Sequence, residues 1–414
     1  MESIKDERKL LRYTYLLCIV LFLNMFFIGK EGFDKGAIIM GGIICILSAY
    51  SHFIIRRFFP DGDKYILLFS NVLAVIGMGI LYRLDSPIAL KQLIWYTVGI
   101  AIFILVVVLF PDLTSFGKYK RFYMICTLIL MAMGSLFGQE IYGAKNWIII
   151  SGMSIQPTEF AKLSLVAYLA AALQYYAKNI EGKSDFTKFK ALLEPGIVVM
   201  VSLGFMVLQK DLGSALLFFA ISVTMLYIAT SKFKYVLVCL VLFMLGGFIS
   251  YKLFGHVRLR VLIWGDPWKY GNNEGFQLVQ SLISIASGGL FGTGLGLGYP
   301  KMVPVVNTDF IFAAICEEMG LLTGFAILIL YFLLFYRCMR ASVYGKDKFS
   351  RLLAVGYSTM IAAQVLVIVG GVVGAIPLTG ITLPLVSYGG SSMIVTFFSL
   401  GILQKISEDG QSYE

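Results

Sequence analysis

The chain has 414 residues, of which 58% are hydrophobic and only 14% charged, with a mean hydropathy of +0.84 and a formal net charge of +10. A soluble protein carries about 25% charged residues. These figures exclude a soluble globular domain and describe an all-α polytopic membrane protein, for which no nucleic-acid partner is expected. The six cysteines (Cys18, Cys45, Cys126, Cys239, Cys316 and Cys338) lie in or at the ends of apolar runs, which argues against a disulfide framework or a zinc site.

The N-terminal MESIKDERKLLR is charged and leads into an apolar run with no small-residue cleavage site, so an uncleaved first span is expected rather than a signal peptide. Apolar runs then give about twelve spans of membrane length or near it: 13–29, 36–55, 65–82, 92–110, 121–138, 163–177, 194–208, 212–229, 235–254, 308–336, 352–375 and 385–404. The first two, with the N-terminal tail, make up residues 1–58. A basic, turn-rich break, RRFFPDGDK, separates them from a core of residues 59–414 that contains a long loop, 255–307. Lys and Arg concentrate on alternate connections (1–12, 56–64, 118–121, 178–190, 232–234, 337–351 and 405). The positive-inside rule then places both termini in the cytoplasm. Three longer segments, 139–162, 255–307 and 376–388, share the outer face.

Polar residues interrupt the apolar pattern on that face. In 143–163, Gln156, Pro157 and Glu159 open a helix, with Thr158 expected as its N-cap and Glu159 in its first turn. Trp147 suits a membrane interface. Lys162, one turn into an apolar span, is a functional candidate because an ionisable group is costly there. Asp211, in Gln209-Lys210-Asp211, is placed to cap the helix that begins at Leu212. In 255–307, Arg258 and Arg260 alternate, and guanidinium groups suit phosphate oxygens. The run 276–285 reads as an amphipathic helix with Gln277 and Gln280 on one side, ended by a glycine cluster that includes Gly288 and Gly289. Thr308 and Asp309 stand at the first turn of a long apolar helix. Asp309 either caps it or meets a substrate at the water boundary. Glu317 and Glu318, two turns deeper, must be paired or protonated and read as internal hydrogen-bond partners. Finally, 377–392 reads PLTGITLPLVSYGGSS. It gathers Pro377, Gly380, Pro384, Tyr388, Gly389 and Gly390 with the hydroxyls of Ser387, Ser391 and Ser392. Backbone this irregular is tolerated at membrane depth only where it is buried in protein or lines a polar cavity, so a groove is expected here.

GAKNW with QPTEFAK, QKDLGSA, QSLISIASGGLFGTGLGLG, NTDFIFAAICEEMG and PLTGITLPLVSYGGSS, in this order, resemble the SEDS family of bacterial shape, elongation, division and sporulation proteins, over roughly residues 60–404. The resemblance implies a ten-helix bundle in the bacterial cytoplasmic membrane, its active face outside, here extended by two N-terminal spans. It implies peptidoglycan glycosyltransfer: polymerisation of lipid II, an undecaprenyl-pyrophosphate-linked disaccharide-pentapeptide, into glycan strands during division, elongation or sporulation. The family's essential acidic residue falls on Asp309, its motif lysine on Lys162 and its motif tryptophan on Trp147. A class B penicillin-binding protein, a transpeptidase, is the implied partner. The chain departs from the family in carrying Gln209-Lys210-Asp211 where Gln-Pro-Asp is common, and Asn307 where a His often precedes Thr-Asp-Phe.

Conversion of an α-linked pyrophosphate donor into a β-1,4 product inverts the sugar. It needs a base for the acceptor hydroxyl and stabilisation of the departing pyrophosphate. On this reading Asp309 is the base or holds a divalent cation, Mg or Mn. Lys162, Arg258 and Arg260 handle phosphates, and Trp147, Gln277, Gln280, Thr308, Ser387, Ser391 and Ser392 line the groove. Two other classes compete. One is a lipid II flippase, for which intramembrane Lys, Asp and Glu also speak. The other is a non-catalytic scaffold for a transpeptidase. The absence of an inverted-repeat pair and the clustering of polar motifs on one face favour the enzyme.

Overall fold

The computed structural model describes residues 2–28, 33–110, 112–141, 144–150, 153–180, 182 and 184–411. Gly143, at the head of the GAKNW motif, lies outside them. A helical hairpin, α1 (Glu2–Ile28) and α2 (Lys35–Phe58), precedes α3 (Tyr65–Leu84), α4 (Ser86–Leu109), α5 (Lys120–Phe137), α6 (Pro157–Asn179), α7 (Asp185–Leu208), α8 (Leu212–Thr230) and α9 (Phe233–Leu253). Two short helices follow, α10 (Gly255–Gly265) and α11 (Phe276–Gly288), and then α12 (Ile311–Tyr344), α13 (Lys348–Val372) and α14 (Gly390–Gln411).

Among the described residues, ten helices are long and apolar enough to cross a membrane. α6 and α14 have comparable lengths, 23 and 22 residues, but carry more polar sequence. Twelve long helices therefore stand where twelve apolar runs were read, and the chain is an all-α, multi-pass membrane protein. The bounds differ in places. α6 begins at Pro157 and α7 at Asp185, so the runs read as 163–177 and 194–208 reach full membrane length. α14 begins only at Gly390, because Pro384 and a left-handed Leu385 (φ 67°) keep 373–389 out of any helix. The segment 139–162 is not a plain connection. It forms β1 (Gln139–Ile141), β2 (Ala144–Ile150) and β3 (Met153–Ile155), an antiparallel sheet in the order β1-β2-β3.

α3 and α13 form the centre, with almost every residue of α3 buried. α9 has no buried residue and packs against α8 and α10; its sequence is apolar all round, as a lipid-facing helix requires. The irregular 373–389 backbone lies directly on α3. A Cβ at Gly77 would stand 2.5 Å from Val386 Cα, so only glycine permits that approach.

α12 is broken at Gly320 (φ 83°, ψ 165°). A break at membrane depth frees backbone groups that cost several kcal/mol each if unmet. The glycine run that follows α11 meets them. Thr293 N–H donates to Glu317 O (2.9 Å) and Gly294 N–H to Glu318 O (3.0 Å), while Leu321 and Leu322 N–H donate to Gly289 O (2.9 Å) and Leu290 O (3.2 Å). Such backbone-to-backbone contact excludes side chains: at Gly292 a Cβ would stand 2.3 Å from Glu318 O. The glycine cluster thus ends α11 and also braces α12.

Candidate active site

One end of the bundle gathers β1–β3, α10, α11, 373–389 and the turn before α12. Asp309 sits in that turn. Its N–H and that of Thr308 both donate to Val305 O, at 3.2 and 3.1 Å, and Val305 is left-handed (φ 54°), an uncommon conformation for a β-branched residue. The turn is tied to the irregular segment by Tyr388 N–H to Asn307 O (2.9 Å) and by the Ser387 hydroxyl to Thr308 O. The N-cap position of α12 is Phe310, with no side-chain cap, so Asp309 does not cap that helix. Its carboxylate is half-buried and faces the exposed Gly380, where a Cβ would lie 3.6 Å from Oδ2. Burial pushes the Asp309 carboxyl up to about 6; the Thr308 hydroxyl and the Arg260 guanidinium oppose the rise and the Asp211 charge adds to it.

Arg260 is the cationic neighbour. It is half-buried on α10, and its Nη1 donates to Leu378 O (3.1 Å) and Thr379 O (3.3 Å). Trp264, one turn on, donates to Gly374 O at 2.9 Å, so this face of α10 holds the irregular segment in place. Arg258 does not share that face. The alternation in sequence lies on a helix, where residues two apart diverge by about 200°. Arg258 is exposed, and no hydrogen bond or ion pair among the described residues engages it.

Asp211 caps α8 through Ser214 N–H (3.0 Å), as its position suggested. It also accepts from the Ser214 hydroxyl (2.7 Å), Asn146 Nδ2 (2.6 Å) and Gln156 Nε2 (3.4 Å). It therefore joins β2, α6 and α8, and its charge acts on Arg260. Thr158 is not the cap of α6. Gln156 takes the N-cap position because Pro157, with its fixed φ, supplies the first helical residue, and Thr158 is buried inside the helix.

Lys162 does not stand open to a substrate. It is 1% exposed, and its ammonium is held by Glu159 (2.7 Å) and Gln364 Oε1 (2.9 Å). Gln364 in turn donates to Thr382 O (2.9 Å) and Ser392 Oγ (3.4 Å), so Lys162 supports the irregular segment from below and does not reach a phosphate. Ser387, Ser391 and Ser392 are likewise buried and spent on protein contacts: Ser387 on Thr308 and Leu383 N–H (2.9 Å), Ser391 on Gln156 N–H (3.3 Å). They brace the irregular segment and the Asp309 turn and do not stand open to a substrate. Gln92 completes the bracing, donating to Ser387 O (3.0 Å) and accepting from Gly389 N–H (3.2 Å), and the Tyr331 hydroxyl donates to Pro384 O. Gln92, Gln364 and Asn146 were missed in the sequence. The signal was available for the two glutamines, since an amide inside an apolar span needs a partner.

Gln277 and Gln280 are half-buried on α11, and Trp147 is half-buried on β2; no hydrogen bond among the described residues links their side chains to Asp309. Glu317 accepts from the Ser284 hydroxyl and from Tyr299 N–H (2.6 Å), and Glu318 pairs with Arg83 at 3.0 Å, so both carboxylates are internal partners. Among the described residues no group of three or more His, Cys, Asp or Glu forms a metal cage.

Together these features define a polytopic membrane protein with a braced turn that holds a partly open carboxylate near a fixed guanidinium. A family model described as cell cycle protein, for FtsW, RodA and SpoVE, matches residues 66–412. The chain is 39% identical over 376 residues to peptidoglycan glycosyltransferase RodA of Mycobacterium tuberculosis, covering 86% of this chain and 80% of that protein. It is 32% identical over 363 residues to stage V sporulation protein E of Bacillus subtilis, covering 83% and 96%. Its fold matches a chain of a solved structure on the coordination of polymerization and crosslinking by a peptidoglycan synthase complex, with a TM-score of 0.71, 26% identity and coverage of 84% of this chain and 98% of that one. The chain belongs to the SEDS family that comprises FtsW, RodA and SpoVE.

Proposed function

We propose that this chain is a peptidoglycan glycosyltransferase that polymerises lipid II at the outer face of the bacterial cytoplasmic membrane. The observation that carries the reading is Asp309: released from helix capping, fixed by a cross-braced turn, open on one edge at Gly380 and set beside Arg260. In the reaction the acceptor C4 hydroxyl attacks the donor anomeric carbon as the bond to the pyrophosphate oxygen breaks. Asp309 takes the hydroxyl proton, and Arg260 meets the negative charge that develops on the leaving group. A carboxyl held near 6 is ionised at neutral pH while remaining basic enough to accept that proton.

The donor set also fits a divalent cation held by Asp309 together with pyrophosphate oxygens, the usual manner of binding Mg²⁺; the bound ion would supply further neutralisation of the leaving group. Orientation rests on the basic residues. Arg56, Arg57, Lys120, Arg121, Lys232, Lys234 and Arg340 lie at the helix ends remote from Asp309, which supports a cytoplasmic assignment for that end and for both termini. A class B penicillin-binding protein is the proposed partner, a reading supported by the likeness to the synthase complex.

The test is incubation of the purified chain with lipid II in detergent solution. Polymer is expected, because glycosyl transfer needs no second compartment. A flippase or a scaffold would leave the lipid unchanged.

A further inference from the structure

The family match begins at residue 66, so α1 and α2 lie outside it. They are nevertheless built into the bundle. Partway along α2, Ser48 Oγ and Tyr96 Oη are 3.3 Å apart, Tyr96 donates to Asn71 Oδ1 at 3.0 Å, and Asn71 Nδ2 donates to Ser51 Oγ at 3.4 Å. This buried polar chain joins α2 to α3 and α4. Polar groups at membrane depth are costly without partners, so it sets the register of the hairpin on the core.

At the Asp309 end the contacts continue toward the site. Asp34, which caps α2 through Gly36 N–H, also accepts the Tyr82 hydroxyl at 2.8 Å. Arg83, the next residue of α3, pairs with Glu318, which also takes the Gly296 N–H. Ile28, the last residue of α1, lies over Gly296, where a Cβ would stand 2.8 Å from its Cγ2. The hairpin tip therefore presses on the glycine run that repairs the break in α12. The run is poorly able to hold itself there. Gly292, Gly294 and Gly296 all have positive φ, and glycine has more alternative conformations to escape into than any other residue. The half-helix it braces, 311–319, begins two residues after Asp309.

We infer that the N-terminal hairpin is an intramolecular buttress for the catalytic turn, with Tyr82 and Asp34 as positioning residues. Load passes from Asp34 through the end of α3 and the glycine run to the α12 break, and so to Asp309. The inference rests on the reading of Asp309 as the base; its structural half does not.

The test uses the full chain carrying Tyr82→Phe, Asp34→Ala or Asp34→Asn. Tyr82→Phe keeps the ring and its edge contact with Phe22 (centroids 5.9 Å apart), so the variant is expected to fold. Two readouts are taken: hydrogen exchange at the Thr293 and Gly294 amides, and steady-state polymerisation kinetics. Tyr82→Phe is expected to speed that exchange about tenfold, the effect of losing one hydrogen bond to a charged group, and Asp34→Ala, which also loses the bond from Gly36 N–H, at least about tenfold. They are expected to lower kcat about tenfold with KM unchanged, because the base is misplaced while donor binding is kept. Asp34→Asn keeps an acceptor for Tyr82 and is expected to restore both values. Unchanged exchange in Tyr82→Phe and Asp34→Ala overturns the inference, as does faster exchange with unaltered kcat. Full activity in Asp309→Ala would remove the catalytic reading alone, since the exchange result does not depend on it.

Discussion

Replacing Asp309 with asparagine keeps the size of the side chain and removes its charge. Burial holds the carboxyl at about 6 in place of 3.8, so folding the chain with Asp309 ionised costs about 3 kcal/mol. The sign follows from the direction. Because the folded value is raised, the favourable contribution is complete below 3.8 and is lost as pH rises through about 6. Asparagine escapes the penalty. Asp309→Asn is therefore expected to be more stable than the wild type near pH 8, by up to about 3 kcal/mol, and to lose that advantage near pH 4. Activity moves the opposite way. A general base contributes about a hundredfold to ten-thousandfold. The wild-type rate should climb with pH through about 6, whereas the variant should be at least about a hundredfold slower throughout. Thermal unfolding in detergent at the two pH values, alongside polymerisation rates, measures both. A variant no more stable than the wild type near pH 8 would refute the burial argument, and a retained rate would refute the assignment of the base.

Arg260→Gln removes the guanidinium beside Asp309 and two bonds to the irregular segment. It is expected to lower kcat about a hundredfold, whereas Arg258→Gln, on the exposed side of the same helix, should change it by about twofold or less; equal losses would contradict the division of α10 into two faces. Lys162→Met leaves Glu159 buried and unpaired and should cost about 3–5 kcal/mol in unfolding free energy, while Lys162→Met with Glu159→Leu should recover most of it. No recovery would mean that Lys162 acts other than through this pair. Gly292→Ala places a Cβ 2.3 Å from Glu318 O at a positive φ, and a loss of folded protein on size-exclusion chromatography is expected.

How much was legible in the sequence depended on whether a residue's role was local. The long apolar runs show in composition because the bilayer demands them, and all-α architecture followed. Asp211 precedes a helix and caps it; Glu317 and Glu318 lie deep in an apolar run and are paired, as carboxylates there must be. Long-range partners were not legible. Nothing near Lys162 in the chain announces Gln364, which meets it from α13, so a buried structural lysine was read as a phosphate ligand. Arg258 and Arg260 looked like a pair because alternation suits extended chain, yet α10 is helical and separates them. The hydroxyls of 387–392 suggested a groove lining, but irregular backbone has so many polar groups to satisfy that most of those side chains are spent on bracing. The glycine run read as a terminator because the break it repairs, at Gly320, sits in the middle of an apolar span and leaves no mark on hydropathy.

The central claim, that the site around Asp309 carries out glycosyl transfer, is tested most directly by comparing wild type and Asp309→Ala, each purified and shown to be folded, on lipid II with products resolved by length. The account predicts a ladder of glycan chains from the wild type and unreacted lipid from the variant. Chains of equal length and amount from both would contradict it.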